Sequence, residues 1–118
     1  MNEAAEFLLT LLHAATNTHL LHWRSKSYAE HQALGAFYTG LPELVDQVAE
    51  AMMGKYDMTP TFPADYYAPA ATAKDELEDL KEYVMDVRTR LPQDSEIQNL
   101  IDEIAQSIDQ TLYLLRFP

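Results

Sequence analysis

All four histidines of the chain fall within its first 31 residues, at His13, His19, His22 and His31. Imidazole nitrogens bind transition metals, and two rings held close together bind better than one. His22 closes one apolar stripe and His31 opens the next, with only a short polar segment around Ser25-Lys26-Ser27 between the two runs. The two rings can therefore approach. Further along, Asp46 and Glu50 stand at i and i+4, about 40° apart around a helix that turns roughly 100° per residue. Their carboxylates can reach one cation. With Glu43 and Gln47, the same residues also describe an ordinary solvated face. A set of His and carboxylate ligands with open positions suits iron, manganese or zinc rather than calcium or magnesium.

One straight helix cannot gather this set. His31 and Asp46 are 15 residues apart, roughly 22 Å at about 1.5 Å per residue. Two copies can gather it. If the second helix packs antiparallel against its mate about an axis near Thr39 and Gly40, His31 of one copy faces Asp46 and Glu50 of the other. Gly35, Ala36, Thr39 and Gly40 are small residues around that axis, where two backbones must come close. They lower helix propensity, and the contact offsets that loss. The expected assembly is a homodimer at least.

The elements that position these residues follow from apolar spacing. Leu8, Leu11, Ala15, Thr18 and His22, with Phe7 and Leu12 beside them, predict a helix over 2–24. Ser27, with Glu30 three residues later, is an N-cap for a second helix over 28–53. That helix carries Leu34, Phe37, Leu41, Leu44 or Val45, Val48 and Met52. Gly54 is its stop signal, and Pro42 is expected to kink it near Tyr38. Thr72 caps a third helix over 73–91 with Leu77, Leu80, Val84, Val87 and Leu91, ended by Pro92. Asp94 or Ser95 caps a fourth over 95–116 with Ile97, Ile101, Ile104, Ile108, Leu112 and Leu115. Between helices two and three, Pro60, Pro63 and Pro69 alternate with Phe62, Tyr66 and Tyr67. The aromatic segment from Tyr56 to Tyr67 reads as a connection lying on the body, either a lid over the bundle's apolar end or a partner site.

Residues 1–118 thus form one all-α domain, a four-helix bundle. A long link between helices two and three can cross its length, the topology of ferritin-like bundles. A plain up-down bundle with a decorated loop is the other arrangement that fits.

Composition narrows the function. A hydrophobic share of 47% supplies a core for 118 residues, while only 3 Gly and 6 Pro argue against a loop-rich β sandwich. With 8 basic against 19 acidic residues the net charge is −11, which excludes wrapping nucleic acid and favours attracting cations. The absence of cysteine removes disulfides, thiolate metal sites and thiol catalysis. No histidine follows residue 31, so there is no Glu-x-x-His pair for a di-iron site inside one subunit. Glycine-rich phosphate loops and serine elbows are absent too. Phe7 to Ala15 is too short to span a bilayer and follows Glu3 and Glu6 rather than basic residues. The expectation is a cytoplasmic protein with no membrane partner.

His22-Trp23 at a helix end, then His31, Asp46 and Glu50 resembles the ferroxidase signature of the DNA-protecting (Dps) mini-ferritins. In that family a His-Trp pair closes the first helix and a second His opens the next. Asp and Glu then follow that His at 15 and 19 residues, as they do here. The likeness covers residues 19–53. It implies a ferrous iron site shared by two subunits, with His22 and His31 from one and Asp46 and Glu50 from the other; Trp23 packs beside it or serves as a core anchor. Manganese or zinc can substitute. The oxidant is peroxide or oxygen, and ferric product passes to storage or detoxification. The assembly ranges from a dimer to a twelve-subunit shell.

The departures from the family are informative. Its further Asp, one turn after the second His, is here Gly35, which implies one iron per site rather than two. The loop from His22 to His31 is shorter than usual, and no Lys-rich tail precedes the first helix, as in members that do not bind DNA. A short, divergent member, for example a virus-encoded one, fits these features. The competing reading is a helical interaction or structural protein that keeps the fold without the chemistry.

Overall fold

The computed structural model describes residues 2–118. Four α-helices account for most of them: α1 (Asn2–Arg24), α2 (Tyr28–Tyr56), α3 (Ala73–Val87) and α4 (Ser95–Leu114), and no strand occurs among the described residues. They form an all-α bundle. The 29 residues of α2 are roughly 43 Å long at about 1.5 Å per residue, which matches the longest dimension of the molecule, 45 Å.

The caps set the helix starts. The side chain of Ser27 accepts from the Glu30 N–H, and that of Thr72 accepts from the Asp75 N–H. Asp94 occupies the N-cap position of α4, but its side chain makes no capping bond. Its carboxylate instead accepts from the Tyr56 hydroxyl and pairs with Lys55 at 3.6 Å, tying the end of α2 to the start of α4.

Helix ends differ from the sequence expectation. Gly54 does not stop α2, which continues to Tyr56 and ends at Asp57 in the left-handed conformation, φ 48°. A carboxylate side chain tolerates that conformation better than most residues do. Tyr56 thereby belongs to the helix and not to the aromatic link. Helical structure also runs through Pro42. α3 ends at Val87 and tightens into a 3-10 turn over Arg88–Arg90, so α-helix stops before Pro92 rather than at it.

The core confirms the stripes of α2, α3 and α4 at their centres. Leu34, Phe37, Leu41, Val48 and Met52 are buried, with Val45 rather than Leu44 between them. Leu77, Leu80, Val84, Val87 and Leu91 face Ile97, Ile101, Ile104 and Ile108 across the same core. On α1 the buried line is Phe7, Leu8, Leu11, Ala14, Thr18 and Leu21, and Leu12 is exposed at 42%.

Ion pairs and polar contacts orient the bundle. Arg90 after α3 reaches Glu3 at the start of α1, and Arg88 reaches Asp102 of α4. Arg24 at the end of α1 donates to the Ala71 carbonyl just before α3. α1 and α3 are therefore antiparallel neighbours. The link over 57–72 leaves the far end of α2 and returns the chain along α1 to the opposite end. It carries no helix.

This link is pinned by a network between residues far apart in sequence. The Tyr66 hydroxyl donates to Asn17 Oδ1 at 2.7 Å, Asn17 Nδ2 donates to the Tyr67 carbonyl at 3.1 Å, and the Tyr67 hydroxyl donates to the Thr10 carbonyl at 3.2 Å. Glu76, only 4% exposed, accepts from the Ala70 N–H at 2.8 Å. Burial raises its carboxyl above the ordinary 4.5, partly offset by the hydrogen bond from Ala70 and by the nearby polar groups of Asn17 and Tyr67. Protonation of Glu76 therefore favours the fold. That contribution is complete below the unfolded value and is lost as pH rises through the higher folded value. Glu76→Gln keeps an acceptor for Ala70 and cannot ionise. Denaturant titrations across mildly acidic pH should show wild-type stability falling through this window more steeply than that of Glu76→Gln. Identical slopes would contradict the assignment.

Candidate metal centre

The end of α1 and the start of α2 are joined by three residues, Ser25 to Ser27. The Ser25 N–H bonds back to the His22 carbonyl, and the Ser25 hydroxyl donates to the Ser27 carbonyl. This tight return places His22 against His31. Their rings stack with centroids 3.7 Å apart and planes 15° from parallel.

The two histidines hold each other by reciprocal bonds. His22 Nδ1 lies 2.6 Å from the His31 carbonyl, and His31 Nδ1 lies 3.0 Å from the His22 carbonyl. A carbonyl only accepts, so each Nδ1 carries the proton. Each Nε2 makes no hydrogen bond among the described residues, and in the neutral ring it is the nitrogen that carries the lone pair. This is the arrangement of metal-ligating histidines, whose second ring nitrogen donates to a carbonyl or carboxylate.

Gly35 finds its reason here. A Cβ at this position would lie 3.2 Å from His22 Cε1, closer than carbon atoms comfortably pack. Gly35 therefore serves the His22 ring within its own chain, which adds an intrachain role to the expected dimer contact. Ala36, Thr39 and Gly40 are exposed, and a Cβ at Gly40 would meet nothing within 4 Å.

Two further aromatic residues join the histidines. Tyr38 stacks on His19 at 3.9 Å and 10°, and meets the His22 ring edge-on at 5.2 Å. Trp23 is 66% exposed and lies against His19 at 4.5 Å. It is no core anchor, and His19 is its aromatic neighbour. Tyr38 was visible in the sequence only through its place two helical turns after His31. His13 lies elsewhere, edge-on to Tyr66 and Tyr67 at 5.1 and 5.8 Å.

Asp46 and Glu50 are exposed on consecutive turns of α2, beyond the exposed small residues Thr39 and Gly40. They do not meet the histidines of their own chain. Among the described residues, no three His, Asp or Glu side chains of one chain converge on a common ion.

Residues 22–115 match a protein family described as "Family of unknown function (DUF5856)". The chain belongs to this family. The DUF5856 match begins at His22 and takes in α2, the link, α3 and α4. The chain is also 31% identical over 118 residues to a protein of Enterobacteria phage T4 described as "Uncharacterized 14.6 kDa protein in mobD-ri intergenic region". That alignment covers 97% of this chain and 88% of the phage protein. No solved structure matches the chain at a significant level. Neither description names an activity for these relatives of the DUF5856 chain.

Proposed function

We propose that this DUF5856 protein is a ferritin-like bundle that binds ferrous iron between two copies and oxidises it. His22 and His31 of one copy and Asp46 and Glu50 of the other are the ligands. The observation that carries this reading is the reciprocal pair of Nδ1 hydrogen bonds, which leaves the Nε2 of each ring without a hydrogen-bond partner among the described residues. Lone pairs lie in the ring planes, and those planes are 15° from parallel, so capture of one ion by both rings must open the stack. The link that returns along the bundle supports the ferritin-like reading.

The exposed face of α2 supports a shared site. Antiparallel pairing sets its acidic half against the His31 and Lys26 end of its mate, with Thr39 and Gly40 at the crossing. Iron gives up an electron to peroxide or oxygen, and ferric product leaves for a core or for solution. Gly35 stands where a further carboxylate would hold a second iron, so one iron binds per site. Manganese and zinc are the expected substitutes. Gly35 equally favours the second reading, a bundle that acts only as an interaction or structural protein.

Anaerobic ferrous titration, followed by peroxide or air with ferric absorbance recorded, separates the two. One tight iron per site and oxidation faster than in buffer support the ferroxidase. Binding without oxidation leaves an iron carrier, and no binding leaves the interaction protein. The charge of −11 predicts no mobility shift of DNA by micromolar protein at roughly 0.15 M salt.

Gly40 tests the pairing itself. With no atom near its missing Cβ, Gly40→Ala should stabilise the isolated chain by about 0.5–1 kcal/mol. Gly40→Leu should weaken self-association by about 1–3 kcal/mol through overpacking. Sedimentation equilibrium of both variants checks this, and an unchanged dimerisation constant for Gly40→Leu contradicts the axis. No described helix is long and apolar enough to cross a membrane.

A further inference from the structure

Between α1, α3 and the link lies a cleft of about 400 Å³, lined in part by Thr10, Tyr67, Ala68, Glu76, Leu80 and Tyr83. This is the size of a small-molecule site. Its floor holds a buried carboxylate, Glu76, and a second acid, Asp79, lies exposed at its rim. Among the described residues no Lys, Arg or His forms an ion pair with Glu76. The Ala70 N–H satisfies Glu76 Oε1, while the carboxyl group still lines the cleft, where its ionised form has no cation beside it.

We propose that this cleft binds a small organic ammonium ion, a primary amine with a short apolar tail. The ammonium N–H groups reach Glu76, and Asp79 adds negative charge at the mouth. Leu80 and Ala68 offer apolar surface to the tail. Tyr67 and Tyr83 line the same cleft, and phenol faces attract cations. Two acids turn anions away, and an uncharged molecule gains no charge attraction from either. A divalent metal ion lacks the converging ligand group it needs here. The net charge of −11 concentrates cations of any kind near the mouth. An ammonium ion keeps Glu76 ionised, so binding releases a proton wherever the empty site holds one. None of this depends on the iron site.

The test is calorimetric titration of the full chain with n-butylammonium, in two buffers of different ionisation heat, with n-butanol as the uncharged counterpart. The expected result is saturable binding of one butylammonium per chain, none of butanol, and proton release at mildly acidic pH. Glu76→Gln should bind at least ten-fold more weakly. Ala68→Trp, a change on the exposed link that narrows the cleft, should do the same and covers the case in which Glu76→Gln fails to fold. Butylammonium that does not saturate the wild type by about 10 mM, equal binding of butanol, or undiminished affinity in a folded variant overturns the proposal.

Discussion

Glu50→Gln should lower ferrous affinity by at least about 10–100-fold, the range that disturbance of a metal's supporting shell costs, and leave the bundle as stable as the wild type. Glu50 is exposed on α2 and takes part in no ion pair or hydrogen bond among the described residues. The replacement removes charge and bridging capacity from the ligand set while keeping the shape of the side chain. Surface substitutions of this kind change stability by about ±0.5 kcal/mol. His31→Ala should lower affinity similarly, but it also removes one of the two reciprocal Nδ1 bonds. Loss of the His31 ring therefore confounds binding with local packing, and Glu50→Gln is the cleaner variant. Ferrous titration under nitrogen with chemical denaturation in parallel gives both quantities. Equal iron affinity in Glu50→Gln and wild type sinks the ligand assignment.

Phe7→Ala should cost about 3–5 kcal/mol, a large part of the roughly 5–15 kcal/mol that holds a domain folded. Phe7 is 0% exposed and stacks near Tyr83 of α3 at 6.4 Å. Its removal leaves a cavity where α1 and α3 meet. Leu12→Ala, five residues on, should cost no more than about 0.5 kcal/mol, because Leu12 is 42% exposed. Denaturant midpoints of the two variants at one protein concentration make the comparison. Similar losses would show that Leu12 is covered in solution, by another copy or by another partner.

That pair of residues also shows where sequence reasoning reaches its limit. Helical periodicity locates a stripe, but the edge of the stripe depends on which neighbours cover it. Leu12 and Phe7 flank the same line of α1, and only the packing of α3 against one side decides between them. Caps were legible because Ser27 and Thr72 act within their own first turn. Helix ends were less so. Gly54 needs no unusual backbone angle, and Asp57 takes the left-handed conformation instead.

The site divides in the same way. The approach of His22 to His31 followed from a three-residue link. The reciprocal carbonyl bonds, and the His19–Tyr38 stack beside them, depend on ring orientation that spacing does not encode. The Asn17, Tyr66, Tyr67 and Glu76 network joins residues up to 50 or more apart and had no local signal. In the proposed pairing the position of Asp46 and Glu50 relative to the histidines depends on two chains, and no feature of one chain fixes it.

Complementation of two inactive variants tests the shared site most directly. One variant carries His22→Ala and His31→Ala, and the other carries Asp46→Asn and Glu50→Gln. Each alone should bind no tight iron. Unfolded together and refolded at equal concentration, they should recover about one quarter of the wild-type sites, because half the dimers are mixed and each mixed dimer rebuilds one site of two. Recovery near that level, read by ferrous titration, is the predicted result. No recovery from a mixture shown to contain mixed dimers would contradict a site built from the histidines of one copy and the carboxylates of the other.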